Sequence, residues 1–215
     1  MRSKFDQQLE VLHTELISMG ALCENLIATS AQALITNDIP LAKTVATKGE
    51  EVDLKERDIE NLCMKLLLQQ QPVAKDLRLI SSALKMITDM ERIGDQAEDI
   101  AQIICSNGSL NRHNTAPVRE MAQATTAMVT QSIDAFVRSD LEIAHKVIAD
   151  DDIVDECFAR IKSQLVNSFH KEGQEGESAL DLLMIAKYFE RIGDHATNIA
   201  EWVVFSITGS HKLET

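Results

Sequence analysis

Glu91-Arg92-Ile93-Gly94-Asp95-Gln96-Ala97-Glu98-Asp99-Ile100-Ala101 returns, at an offset of 99 residues, as Glu190-Arg191-Ile192-Gly193-Asp194-His195-Ala196-Thr197-Asn198-Ile199-Ala200. Eight of the eleven positions are identical, which chance does not supply. A weaker match lies upstream at an offset of 102, where Asp38, Ala42, Val45, Val52 and Asp53 align with Asp140, Ala144, Val147, Val154 and Asp155. The chain is therefore a tandem duplication. The difference between the two offsets calls for a shorter connection between the second and third helices of the second copy.

Outward from this segment, the apolar spacing predicts helices. Phe5, Leu9, Leu12, Leu16, Met19, Leu26 and Ala33 recur at three- and four-residue steps, giving an amphipathic helix over 3–36. Asn37-Asp38 offers a cap, and Pro40 suits a first helical turn. Leu41, Val45, Val52, Ile59, Leu62 and Leu66 mark a second helix that ends near Gln71-Pro72. Leu77, Ile80, Leu84, Ile87, Met90 and Ile100 mark a third, closed by Ser106-Asn107-Gly108. Residues 107–117 are polar and hold Gly108 and Pro117, so the expected division is 1–108 and 109–215. The pattern then restarts. A fourth helix is expected over 115–138, a fifth capped by Ser139-Asp140 and reaching 171, a loop from Lys171 to Gly176, and a sixth over 178–208.

A 30-residue helix is about 45 Å long, and long helices with short links pack as antiparallel bundles. The period-2 alternation of strands is absent from the sequence. The expected fold is all-α: two tandem, pseudo-symmetric three-helix bundles, six long helices in all.

Composition bounds the function. Of 215 residues 45% are hydrophobic, enough for a core, and the formal net charge is −13. Such a surface repels nucleic-acid phosphates, and nucleic-acid binding is not expected. It suits cations or basic protein patches, and it also serves plain solubility. Cys23, Cys63, Cys105 and Cys157 have no metal-ligand spacing and sit among apolar residues, as buried free thiols do. The first residues carry no apolar signal segment, and no apolar run reaches the roughly 18 residues of a membrane span. A cytoplasmic protein without direct membrane insertion is expected.

The repeated segment carries the chemistry. Glu91, Asp95 and Asp99 stand at i, i+4 and i+8 on one slowly drifting helix face, as do Glu190, Asp194 and Asn198. Like charges at i, i+4 cost a helix about 0.2–0.5 kcal/mol per pair, which a bound cation would offset. The preceding helices could add Glu50, Asp53 and Glu56 in one copy, and Asp151, Asp152 and Asp155 in the other. Oxygen ligands from neighbouring helices favour Mg, Mn, Ca or ferric iron over a closed zinc site. Against this stands a merely solvated acidic face, with Arg92 and Arg191 able to neutralise Asp95 or Asp194 within their own helices. Gly94 and Gly193, mid-helix, admit either a closely approaching helix or room for an ion. His195 is a ligand or a hydrogen-bonded histidine. The other histidines are scattered, no ExxH pair is present, and P-loop, GxSxG and HExxH motifs are missing from the sequence.

The paired ERIGD segments, each followed by Ala, an Asp or Asn, and Ile-Ala, resemble the E(D)xxxD signatures of the PhoU family. Gln71-Pro72-Val73-Ala74-Lys75-Asp76-Leu77-Arg78 also resembles the family's segment opening its third helix. The resemblance spans about residues 3–208. It implies two pseudo-symmetric three-helix bundles that bind multinuclear metal clusters through the acidic motifs. Matched by motif, the metal ligands are Glu91, Asp95, Asp99, Glu190, Asp194 and Asn198, with Asp53 and Asp155 as contributors from the preceding helices. The ions would be divalent or trivalent, with Mg, Mn, Fe or Zn as the choices. The neutral Asn198 departs from Asp99 and should weaken the second site. The resemblance further implies a non-enzymatic regulator. It would restrain high-affinity phosphate uptake and the phosphate-starvation response, with two partners: the phosphate transporter's ATPase subunit and the phosphate-sensing histidine kinase. A homodimer is usual in the family.

Two other readings remain at this stage. A helical metal-dependent phosphohydrolase would need an EExxE segment, but Glu50-Glu51 is followed by Val-Asp-Leu. A structural bundle whose acidic faces bind nothing is the third.

Overall fold

The computed structural model describes residues 2–69, 73–106, 116–168 and 176–210, and these are helical except at the hairpin corners and the ends. The elements are α1 (Arg2–Thr36), α2 (Ile39–Gln69), α3 (Ala74–Ser106), α4 (Ala116–Arg138), α5 (Leu141–Ser168) and α6 (Gly176–Thr208). The fold is all-α, as expected. The proposed linker and the division at 108/109 lie outside the described residues, as do Gln71-Pro72 and most of the 171–176 loop.

The two α–α corners are built alike. Asn37 and Ser139 both take φ 52°, the left-handed conformation that ends a helix. The amide of Asp38 donates to the Ala33 carbonyl at 3.0 Å, and that of Asp140 to Ala135 at 2.9 Å. Each aspartate then caps the next helix. Asp38 Oδ1 accepts from the Leu41 amide at 2.9 Å, and Asp140 Oδ1 accepts from Glu142 at 2.9 Å and Ile143 at 3.1 Å. One residue in the left-handed region plus one capping aspartate reverses the chain in both copies. The second-to-third-helix connections, where a shorter link was expected in the second copy, fall on 70–72 and 169–175, outside the described residues.

Packing partners define the layering. α3 lies between α2 and α6, and α6 between α3 and α5, so the front row runs α2–α3–α6–α5. Behind it, α1 fills the groove of α2 and α3, α4 fills that of α5 and α6, and α1 meets α4. The core between rows holds Leu12, Leu16 and Met19 of α1, Ile59 and Leu66 of α2, Ile80 and Met86 of α3, and Phe136 and Phe189, all essentially inaccessible. Burying one such side chain contributes about 1.5–3 kcal/mol. His13 of α1 sits edge-on to Phe136 of α4 across the back seam, and its burial lowers its pKa. Cys23, Cys63 and Cys157 are buried and Cys105 half-buried, all free. Burial pushes the Cys23 and Cys63 thiols up to about 12, as unreactive core groups.

The mid-helix glycines are packing devices. A Cβ at Gly94 would lie 3.4 Å from Val52 Cγ1, and one at Gly193 would lie 3.3 Å from Val154 Cγ1. Val52 and Val154 are the aligned residues of α2 and α5. The close approach brings the carboxylates of those helices beside those of α3 and α6.

Candidate metal centre

With α1 and α4 filling the rear grooves, polar residues at the α2–α3 and α5–α6 junctions face outward from the front row. In the first copy one carboxylate oxygen each from Asp53, Glu91 and Asp95 lies within 4.8 Å of the other two. Partial burial, then the neighbouring Asp95, raises the Glu91 pKa. Arg92 answers part of the charge, with Nε 3.4 Å from Glu91 Oε2 and Nη1 3.0 Å from Asp95 Oδ2. Glu56 stands beside Glu60 and Asp53, and its pKa is raised first by burial. Glu98, which the spacing argument passed over, stands beside this group with its carboxylate over Gly49 of α2. Burial and then the charges of Asp95, Asp53, Asp99 and Glu50 push it up to about 7.

The second copy assembles Asp151, Asp152, Asp155, Glu190 and Asp194. Burial, followed by Asp194, Asp155, Asp152 and Glu190, pushes Asp151 up to about 6. Here the countercharge comes from Lys187, which forms an ion pair with Glu190 one turn along α6 and lies 5.5 Å over the Phe158 ring. The aligned first-copy residues are Thr88 and Glu56.

Asp99 and Asn198 go elsewhere. Eight residues of helix turn 800°, so each has drifted about 80° from its Glu, which carries it into the front seam. Asn198 Nδ2 donates to Asp89 Oδ1 of α3 at 3.1 Å, and His195 Nδ1 lies 2.9 Å from the same oxygen. In the mirrored position the Tyr188 hydroxyl of α6 donates to Asp99, with Arg191 nearby. His195 is thus hydrogen-bonded in the seam, and Asp99 and Asn198 join the halves. The sequence signal that would have found Glu98 is an exchange at aligned positions: Gly49 and Glu98 in one copy stand against Asp151 and Thr197 in the other.

The donor set fits a hard cation. It is made of carboxylates from two helices, held by packing against their mutual repulsion, and protons or arginine now supply what an ion would supply. Asp53, Glu91 and Asp95, the one group among the described residues whose donor atoms all lie within 4.8 Å of one another, would hold it in the first copy; the second copy gathers the charges of Asp151, Asp155, Glu190 and Asp194 without such a close set. Bound there, a cation would neutralise charge and cross-link the paired helices.

Comparison with known proteins adds the family. The PhoU domain model matches residues 16–104 and again 118–203. A phosphate-specific transport system accessory protein PhoU homolog of Clostridium acetobutylicum is 36% identical over 210 residues, covering 97% of this chain and 96% of that one. One from Pseudomonas aeruginosa is 34% identical over 210 residues, covering 96% and 86%. The crystal structure of PhoU from Pseudomonas aeruginosa superposes with a TM-score of 0.90 at 33% identity, covering 96% of this chain and all of that one. The crystal structure of a phosphate transport system regulatory protein PhoU from Streptococcus pneumoniae shares the fold, with a TM-score of 0.90 at 22% identity and coverage of 97% and 99%.

Proposed function

The chain belongs to the PhoU family, and on that premise we propose that it is an accessory protein of the phosphate-specific transport system that acts as a metal-dependent negative regulator. It restrains high-affinity phosphate uptake and the phosphate-starvation response. It does so as an adaptor, a homodimer at the cytoplasmic side, between the transporter's ATPase subunit and the phosphate-sensing histidine kinase. The role is regulatory rather than catalytic. Among the described residues no helix is long and apolar enough to cross a membrane, which accords with contact through partners.

One observation carries the reading: each of the two family-matched segments contains one outward-facing acidic junction, and both junctions lie on the same front row. Cations held at Asp53, Glu91 and Asp95, and at Asp151, Asp155, Glu190 and Asp194, set the charge this row presents. A partner shifts between two states by as much as its affinity for that row differs between them. Filling the junctions therefore changes partner affinity without moving the helices.

The test is secreted phosphatase activity in phosphate-rich medium with and without the gene. High activity in the deletion strain alone, restored to low by the intact gene and not by a folded Asp95→Lys, Asp194→Lys double variant, is the expected result. Equal low activity in both strains overturns the regulatory role.

A further inference from the structure

The two junctions receive a fourth carboxylate by opposite routes. In the first copy α2 carries Gly49, and a Cβ there would overlap the Glu98 carboxylate and lie 3.0 Å from Glu98 Cγ. The Glu98 side chain of α3 therefore crosses onto the bare backbone of α2. In the second copy the residue aligned with Gly49 is Asp151 and the residue aligned with Glu98 is Thr197. There the acid belongs to α5 and lies against a glycine of α6, with Asp151 Oδ1 3.2 Å from a Cβ built at Gly193. The acid has changed helices, and a carboxylate stands over a glycine in both junctions, over Gly49 in the first and over Gly193, the counterpart of Gly94, in the second.

Each change alone would break this arrangement. An aspartate at Gly49 would push the Glu98 carboxylate out of its place, and a threonine at 98 would leave the junction with Asp53, Glu91 and Asp95 only. Holding an extra carboxylate among others is electrostatically unfavourable. The groups that surround Glu98 are Asp95, Asp53, Asp99 and Glu50, and those that surround Asp151 are Asp194, Asp155, Asp152 and Glu190. Both copies nevertheless retain the extra acid.

We propose that Glu98, admitted by the missing side chain of Gly49, is a metal ligand of the first junction and takes the place that Asp151 holds in the second. The first junction then draws three ligands from α3 and one from α2, while the second draws two from each helix. Cation binding at the first junction is chelation along α3 with a single tether to α2. At the second it is a clamp between α5 and α6. This inference rests on the reading of the junctions as metal centres.

The experiment is titration of the full-length protein with Mn2+, following the free-ion spin resonance signal, in an Asp151→Asn, Asp155→Lys, Asp194→Lys background that silences the second junction. Glu98→Thr should weaken first-junction affinity at least about tenfold, the scale of a lost metal-site group. Gly49→Asp alone should weaken it as well, because the new side chain takes the place of the Glu98 carboxylate. Gly49→Asp combined with Glu98→Thr rebuilds the second-copy pattern and should recover affinity to within about threefold of the parent. Glu98→Gln, which keeps the shape, separates charge from packing, and circular dichroism checks that every variant is folded. Parental affinity in Glu98→Thr and Glu98→Gln overturns the inference while leaving the metal reading intact. A folded double variant no better than Glu98→Thr also overturns it. A parent that takes up no Mn2+ overturns the metal reading itself, and this inference with it.

Discussion

The two acidic junctions share a backbone and differ in countercharge. In the first copy it comes from Arg92, which is half-exposed and pairs with both Glu91 and Asp95. In the second it comes from Lys187, held between Glu190 and the Phe158 ring. Replacing Glu56 by Phe158 removes one negative charge, and replacing Thr88 by Lys187 adds one positive charge. The packing residues Val52 and Val154, over Gly94 and Gly193, have stayed put. Duplication preserved the steric frame and let the electrostatics diverge, so on the proposed metal reading the first junction should hold a cation more tightly.

Charge inversion should break the comparison most. Asp95→Lys should lower first-junction Mn2+ affinity about 100-fold, while Asp194→Lys lowers the second-junction affinity only about tenfold, since Lys187 already stands there. Equal losses in isothermal titration would erase the distinction.

Acidity sharpens it next. Folding raises Glu98 to about 7 and Asp151 to about 6, both above the range of unfolded carboxylates. The folded state then holds protons that the unfolded chain has released. The stability so contributed is complete below the unfolded carboxylate range and is lost as pH rises through about 6 for Asp151 and about 7 for Glu98. Without metal, the melting temperature should fall from pH 5 to pH 8, and saturating Mn2+ should flatten the decline. Mn2+ affinity should drop by up to about tenfold per unit below the relevant pKa, because one proton competes for the ion. The first junction should begin to lose affinity at the higher pH. Coincident losses would show that Glu98 and Asp151 do not set the two profiles.

Lys187→Thr, which copies Thr88, should raise second-junction affinity about two- to fivefold by releasing a surface ion pair worth ~0.5–1 kcal/mol. A decrease would mean that Lys187 orders Glu190 for binding rather than competing with the ion. The smallest effect is at the corners. Asn tolerates the left-handed region and Ser does so less readily, so Ser139→Gly should stabilise the fold by about 0.5 kcal/mol and Asn37→Gly by less, as read by urea denaturation.

Nearly all of the helical architecture was legible in the sequence, because three- and four-residue spacing and the Asn37-Asp38 and Ser139-Asp140 corners are local signals. Part of the candidate site was legible too. Glu91 and Asp95 stand one turn apart, and the offset of 102 pointed to Asp53 and Asp155 on the facing helices. Asp99 and Asn198 stand a further turn along, where the accumulated rotation brings them against the other half at the front seam. Glu98 escaped because its place depends on a side chain that Gly49 lacks on another helix. Lys187 and Phe158 escaped because their meeting spans α5 and α6.

The front seam also bears on how the halves pair. Asp89 faces His195 and Asn198, while the mirrored place sets Asp99 against Tyr188. Two first halves brought together would oppose Asp89 and Asp99 on both sides of their axis. Two second halves would leave each His195 without its carboxylate. Across these five side chains each half is therefore fitted to the other and not to a second copy of itself, like a lock cut for one key.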